Sequence, residues 1–195
     1  MEQLLALVAF SFASSVTPGP NNILLWASGA SFGLRRTLPH VLGTALGIGL
    51  MTLAVAAGSG ALITAFPAVT IAMKIGGSIY LLYLAYQIAR LGMLERPAVA
   101  HPFGLVSAAA FQVINPKAWI FAVGAVTTFR PADLPVVVGG VIVGLTMMVV
   151  IVPTALLWAG AGDALGRMTS QPDARRAVSL FLAALLVASV LLVWV

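Results

Sequence analysis

The chain has 195 residues, of which 61% are hydrophobic and 8% charged, with a net charge of +5 and no cysteine. Soluble domains average roughly 45–50% apolar and about 25% charged residues, so ten basic and five acidic side chains cannot cover a soluble surface of this size. The missing cysteines exclude disulfide scaffolds, thiol catalysis and cysteine-ligated metal sites. The scattered arginines argue against nucleic-acid binding. No metal and no cofactor is expected, and the lipid bilayer is the solvent for most of the chain.

A spanning helix needs about 20 mostly apolar residues. Six stretches meet that requirement: 4–26, 39–63, 68–92, 104–128, 134–159 and 175–194. The connections between them are short, so the expectation is an all-α membrane protein with one transmembrane domain over 1–195. Continuous apolar runs, rather than alternating ten-residue strands, disfavour a barrel.

Span one begins without a positive n-region, and Glu2 is its only early charge. No convincing cleavage site precedes its proline motif, so it reads as a retained span rather than a signal peptide. Its middle carries Val16-Thr17-Pro18-Gly19-Pro20-Asn21-Asn22-Ile23. A Pro-Gly-Pro triplet cannot continue a helix, because each proline removes a donor and clashes with the preceding turn. The freed carbonyls would each cost several kcal/mol against lipid, so they must face protein or a wet cavity.

Span two starts at His40 and carries Gly43 and Gly47, a spacing that lets helices approach closely. Span three carries Lys74, close enough to its end to snorkel, then Gly76, Gly77 and the tyrosines Tyr80, Tyr83 and Tyr86, which suit packing or interface anchoring. Span four repeats the first break with Gln112-Val113-Ile114-Asn115-Pro116-Lys117. Span five repeats the glycine spacing with Gly140 and Gly144. The matched features predict two inverted three-helix repeats, about 1–95 and 102–195, with spans one and four broken at their prolines.

The only three asparagines, Asn21, Asn22 and Asn115, stand beside the two breaks, and Gln112 is one turn before the second. Amides offer both donors and an acceptor, which suits a zwitterion; a purely structural role at the kinks is compatible with that. Lys117 is costly at the centre of a span. It either holds a substrate carboxylate or pairs with carbonyls freed by the breaks. The candidate site is therefore Asn21, Asn22, Gln112, Asn115 and Lys117 for binding, with Thr17, Pro18, Gly19, Pro20 and Pro116 holding the backbone open.

Arg35, Arg36, Arg90, Arg96, Arg167, Arg175 and Arg176 cluster at connections one, three and five, against Arg130 alone on the other side. The positive-inside rule then predicts both termini outside the cytoplasm. Glu2, Glu95, Asp133, Asp163 and Asp173 all fall at span ends or connections. His40 and Lys117 are the remaining titratable candidates for coupling, and histidine titrates near neutral pH.

These blocks resemble the LysE/RhtB amino-acid exporter family. Thr17-Pro18-Gly19-Pro20-Asn21-Asn22 is similar to its first-span signature, and Phe32-Gly33-Leu34-Arg35-Arg36, Lys74-xx-Gly77-xx-Tyr80-Leu81 and Asn115-Pro116-Lys117 follow in order. Pro20-Asn21-Asn22-Ile23-Leu24 and Phe111-Gln112-Val113-Ile114-Asn115 are most similar to the cysteine and O-acetylserine branch. The resemblance implies a bacterial inner-membrane exporter of a small amino-acid substrate, coupled to protons. A homodimer is compatible with so small a bundle. A channel or scaffold also suits broken helices. An intramembrane hydrolase pairing Ser59 with His40 does not, because about 19 residues of helix separate them by nearly 30 Å, and His101 lies in a connection.

Overall fold

The computed structural model describes residues 2–59, 67–91, 101–168 and 172–194, and the regular structure among them is helical. In chain order the helices are α1 (Glu2–Val16), α2 (Pro20–Phe32), α3 (Leu34–Ala54), α4 (Pro67–Leu91), α5 (Leu105–Ile114), α6 (Pro116–Phe129), α7 (Val136–Met168) and α8 (Pro172–Trp194). A π-helical segment, Val55–Ser59, continues α3.

Prolines set the helix ends. Thr17 and Gly19 each precede a proline, a position disfavoured in a helix, and Gly19 is extended with φ −175° and ψ 173°. Pro20 then takes the first position of α2, where its missing N–H costs nothing. The second motif repeats this economy: Asn115 is extended at φ −86° and ψ 105°, and Pro116 opens α6. Helices α5 and α6 meet at 78°. Between α2 and α3 the chain turns at Gly33, whose φ of 80° is a conformation side-chain-bearing residues rarely adopt.

Among the described residues, two helices, Leu34–Gly58 and Val136–Arg167, are long and apolar enough to cross a bilayer, and the bent pair α5–α6 makes a third if it is one span. Helix α7 corrects the expectation that span five ends at 159. It has 33 residues, about 50 Å of helix against a hydrocarbon core of roughly 30 Å. Asp163 therefore stands within a helix rather than in a connection, bonded to Arg167 one turn on at 2.9 Å. Gly162 and Gly166 carry the helix through this region because they lie against the backbone of Trp26 and Ala30 on α2. That tertiary contact overrides their low intrinsic helix propensity.

Helices α2 and α3 both pack along α7, α3 also packs on α5, and α4 packs on α8. One apolar cluster joins α1, α3, α6 and α7 through Leu7, Ile48, Met51, Ala122, Val143 and Met147. A second joins α2, α4, α5 and α8 through Leu24, Leu81, Ile88, Phe111 and Leu186. Gly43 and Gly47 seat α3 against Leu105, Ala108 and Ala109 of α5. Gly140 and Gly144 instead seat α7 against Ala56 and Gly49, on the α3 side. The matched glycine spacing thus serves close approach in both places, but toward different neighbours. Tyr83 and Tyr86 are exposed, while Tyr80 packs on Phe111 with ring centres 5.7 Å apart. Gly60, Glu95 and Arg96 lie outside the described residues, as do the side chains of Ser59 and Arg175.

Candidate functional site

The two breaks, about a hundred residues apart in sequence, are tied together by side chains. Lys117 crosses from α6 to the first break. Its Nζ donates to Thr17 O at 2.6 Å, Thr17 Oγ1 at 2.9 Å and Pro18 O at 3.2 Å. An ammonium has three protons, and all three are engaged. The same Nζ lies 5.3 Å from the centre of the Phe121 ring. Of the two roles open for Lys117 in the sequence, this geometry displays pairing with freed carbonyls. Gly19 makes room for it, since a Cβ there would meet Lys117 Cδ at 2.7 Å.

Asn22 has a similar structural task. Its Nδ2 donates to Ser15 O at 2.7 Å and to Thr17 O at 2.9 Å, closing the end of α1. Thr17 Oγ1 donates in turn to Ser14 O at 2.9 Å.

The other amides form a buried chain. Asn115 Nδ2 donates to Gln112 Oε1 at 3.2 Å, and Gln112 Nε2 donates to Asn21 Oδ1 at 3.0 Å. Thr44 Oγ1 donates to the same Asn21 oxygen at 3.1 Å. His40 Nε2 approaches that oxygen at 3.4 Å, with its ring stacked on Phe103. Asn21 Oδ1 is thus the meeting point of α2, α3 and α5. His40 is fully buried. Two atoms of this network, Asn115 Oδ1 and His40 Nδ1, are buried without a partner.

A cavity of about 480 Å³ of empty space, part of it open to the outside, lies between the breaks. Asn21, Asn22, Gln112, Asn115 and Lys117 all line it, together with Gly19. Sequence reasoning missed Ser11, Ser14 and Ser15 of α1 and Thr44 of α3, which line it as well. Ile48, Phe121, Met147 and Ile151 supply an apolar side. The N-termini of α2 and α6 both open here. Ile23 N reaches back to Gly19 O and Ala118 N to Asn115 O, and the N–H groups at the very start of a helix have no intrahelical partner. Free N–H groups at two helix N-termini favour an anion.

Comparison with known proteins matches a family model described as LysE type translocator across residues 12–193. The chain belongs to the LysE type translocator family. Among curated relatives, this translocator is 30% identical over 186 residues to the cysteine/O-acetylserine efflux protein of Escherichia coli strain K12, covering 94% of this chain and 93% of that one. The protein of the same name from Shigella flexneri matches to the same extent. The one from Klebsiella pneumoniae is 32% identical over 124 residues, 64% of this chain and 63% of that one. No solved structure matches. The translocator is a membrane transporter and not an enzyme.

Proposed function

We propose that this translocator exports a small neutral amino acid of the cysteine/O-acetylserine class across the bacterial inner membrane by alternating access. The observation that carries this reading is the shared cavity: two chain breaks from opposite halves of the sequence line one space. Broken helices around a central site are a recurrent transporter design. In this reading the substrate carboxylate sits at the N-termini of α2 and α6, and Asn21, Gln112 and Asn115 fix its polar ends. Lys117 and Asn22 brace the first break. The relatives' names supply the substrate class and the outward direction.

Helix pairing supports two inverted repeats. Taking α1–α2 and α5–α6 as spans one and four, α1 and α2 pack on α7 while α5 and α6 pack on α3. Exchanging the repeats turns each of these pairings into the other. The pairs α3–α7 and α4–α8 map onto themselves. Rocking of one repeat against the other would open the cavity to either side.

Proton coupling belongs to the same reading, with His40 as its carrier through the bond to Asn21. Counterflow in proteoliposomes tests these assignments together, with labelled O-acetylserine, cysteine, threonine, leucine and lysine offered in turn. Saturable exchange of the small neutral substrates is expected, with at least a tenfold loss for Asn115→Ala, the factor that about 1.4 kcal/mol carries. His40→Gln should keep exchange but lose the response to an imposed pH gradient. Ohmic conductance without saturable exchange would refute the carrier.

The arginine distribution supports a topology with both termini in the periplasm. The chain has no native cysteine, so a single cysteine added at either end should react with an impermeant thiol reagent in intact cells. Reaction only after the membrane is opened would reverse the topology.

A further inference from the structure

We propose that Ser11 and Ser14 of α1, with Asn115 Oδ1, form the seat for the substrate's α-ammonium group. This rests on the exporter reading above and assigns one end of its cavity. A serine hydroxyl has one proton and two lone pairs. Ser11 Oγ donates its proton to Leu7 O at 2.7 Å, and Ser14 Oγ donates to Phe10 O. With those protons committed, the two hydroxyls present only acceptors to the cavity they line. Thr44 is in the same condition, its proton given to Asn21.

Asn115 supplies an independent observation. It is 5% exposed, it lines the cavity, and its Oδ1 has no hydrogen-bond partner. A buried acceptor left empty costs about 1–3 kcal/mol, and a ligand donor removes that cost. Among the described residues the cavity lining contains no acidic side chain and one cation, Lys117, whose protons are committed to Thr17 and Pro18. The cavity is thus polarised. Donors gather at the N-termini of α2 and α6, and acceptors gather on the serine face and Asn115. An ammonium carries three donors and no acceptor, which is the complement of that face. An N-acylated amine keeps one N–H, brings a carbonyl oxygen against lone pairs, and loses the charge. A site built to bond a given group rejects analogues that leave its buried polar atoms unpaired.

The test is counterflow of labelled O-acetylserine in proteoliposomes, with unlabelled L-serine, L-serine methyl ester and N-acetyl-L-serine as competitors. It is run on the wild-type protein and on a Ser11→Ala/Ser14→Ala double variant. Alanine is safe here, because it favours the helix and removes hydroxyls that bond back to the preceding turn. N-acetyl-L-serine should compete at least a hundredfold more weakly than L-serine. The double variant should need about ten times more substrate for half-saturation. Its inhibition by the methyl ester, which keeps the ammonium and lacks the carboxylate, should weaken by the same factor. N-acetyl-L-serine competing as well as L-serine, or an unchanged half-saturation in the double variant, would remove the ammonium seat and leave the exporter reading intact. A wild-type protein that exchanges none of these amino acids would overturn both.

Discussion

Lys117→Met is expected to abolish counterflow and lower the melting temperature in detergent, with the largest effect of any single side-chain replacement in the cavity. The reason is the set of acceptors it would abandon. Thr17 O, Thr17 Oγ1 and Pro18 O all bond to its Nζ. The non-helical stretch 17–19 keeps these carbonyls from the N–H groups of Asn21 and Asn22, four residues on, that an unbroken helix would bring to them. Hydrogen bonds to a charged group contribute about 1.5–3 kcal/mol each, and the cation over Phe121 adds about 0.5–1 kcal/mol. Water entering through the cavity mouth recovers part of this, so the expected net loss is about 3 kcal/mol, enough to cut a site-dependent rate at least a hundredfold. Arginine is expected not to rescue fully, because the three acceptors converge on a single nitrogen and a planar fork spreads its donors over three. A methionine variant that melts with the wild type and exchanges substrate normally would show that the first break holds itself open.

The second large effect concerns packing rather than polarity. Gly162→Ala is expected to unfold the protein or prevent its accumulation, while Gly160→Ala, two residues earlier on the same helix, should be neutral or slightly stabilising. A Cβ on Gly162 would run into Trp26 O, and one on Gly166 would meet Ala30 O at 2.5 Å. Gly29 lies against Ala159 O from the other side. These are backbone atoms, so α2 and α7 can only separate. Overpacking of this kind costs about 1–3 kcal/mol and sometimes more, on a helix pair that carries the first break. Gly160 meets nothing within 4 Å, and alanine gains there about the 1 kcal/mol that glycine gives up in a helix. Melting of both variants in detergent checks the contrast. Equal behaviour would mean that α2 and α7 are not in such close contact.

Much of the site was legible because membrane sequences punish irregularity. Proline within an apolar run, and asparagine beside it, have few structural explanations, so Thr17–Asn22 and Gln112–Lys117 could be singled out. The structure brings both groups to one cavity. The serine face was legible in principle. Ser11, Ser14 and Ser15 stand three and four residues apart in an otherwise apolar stretch, which places them on one side of a helix. They passed unnoticed because serine is common in membrane helices and bonds its own backbone. Thr44 was not legible as a site residue, and His40 was legible only as a candidate for coupling, since only tertiary packing brings them to Asn21. The glycines show a related limit. Gly140 and Gly144 match Gly43 and Gly47 in spacing, yet they face α3, while the tight seam between α2 and α7 is made by Gly29, Gly162 and Gly166. Spacing reports that a close approach exists and does not report against which neighbour.

The central claim is that the cavity between the two breaks is where the substrate binds. Substrate protection of a cysteine placed there tests it most directly, in a chain with no other cysteine to react. Ser15→Cys puts a thiol on the cavity lining, and Ser107→Cys puts one on an exposed position at the start of α5. O-acetylserine should slow reaction of the first with a small thiol reagent, with a concentration dependence matching half-saturation of counterflow, and leave the second unchanged. Labelling of Ser15→Cys at the same rate with and without saturating substrate would contradict the account.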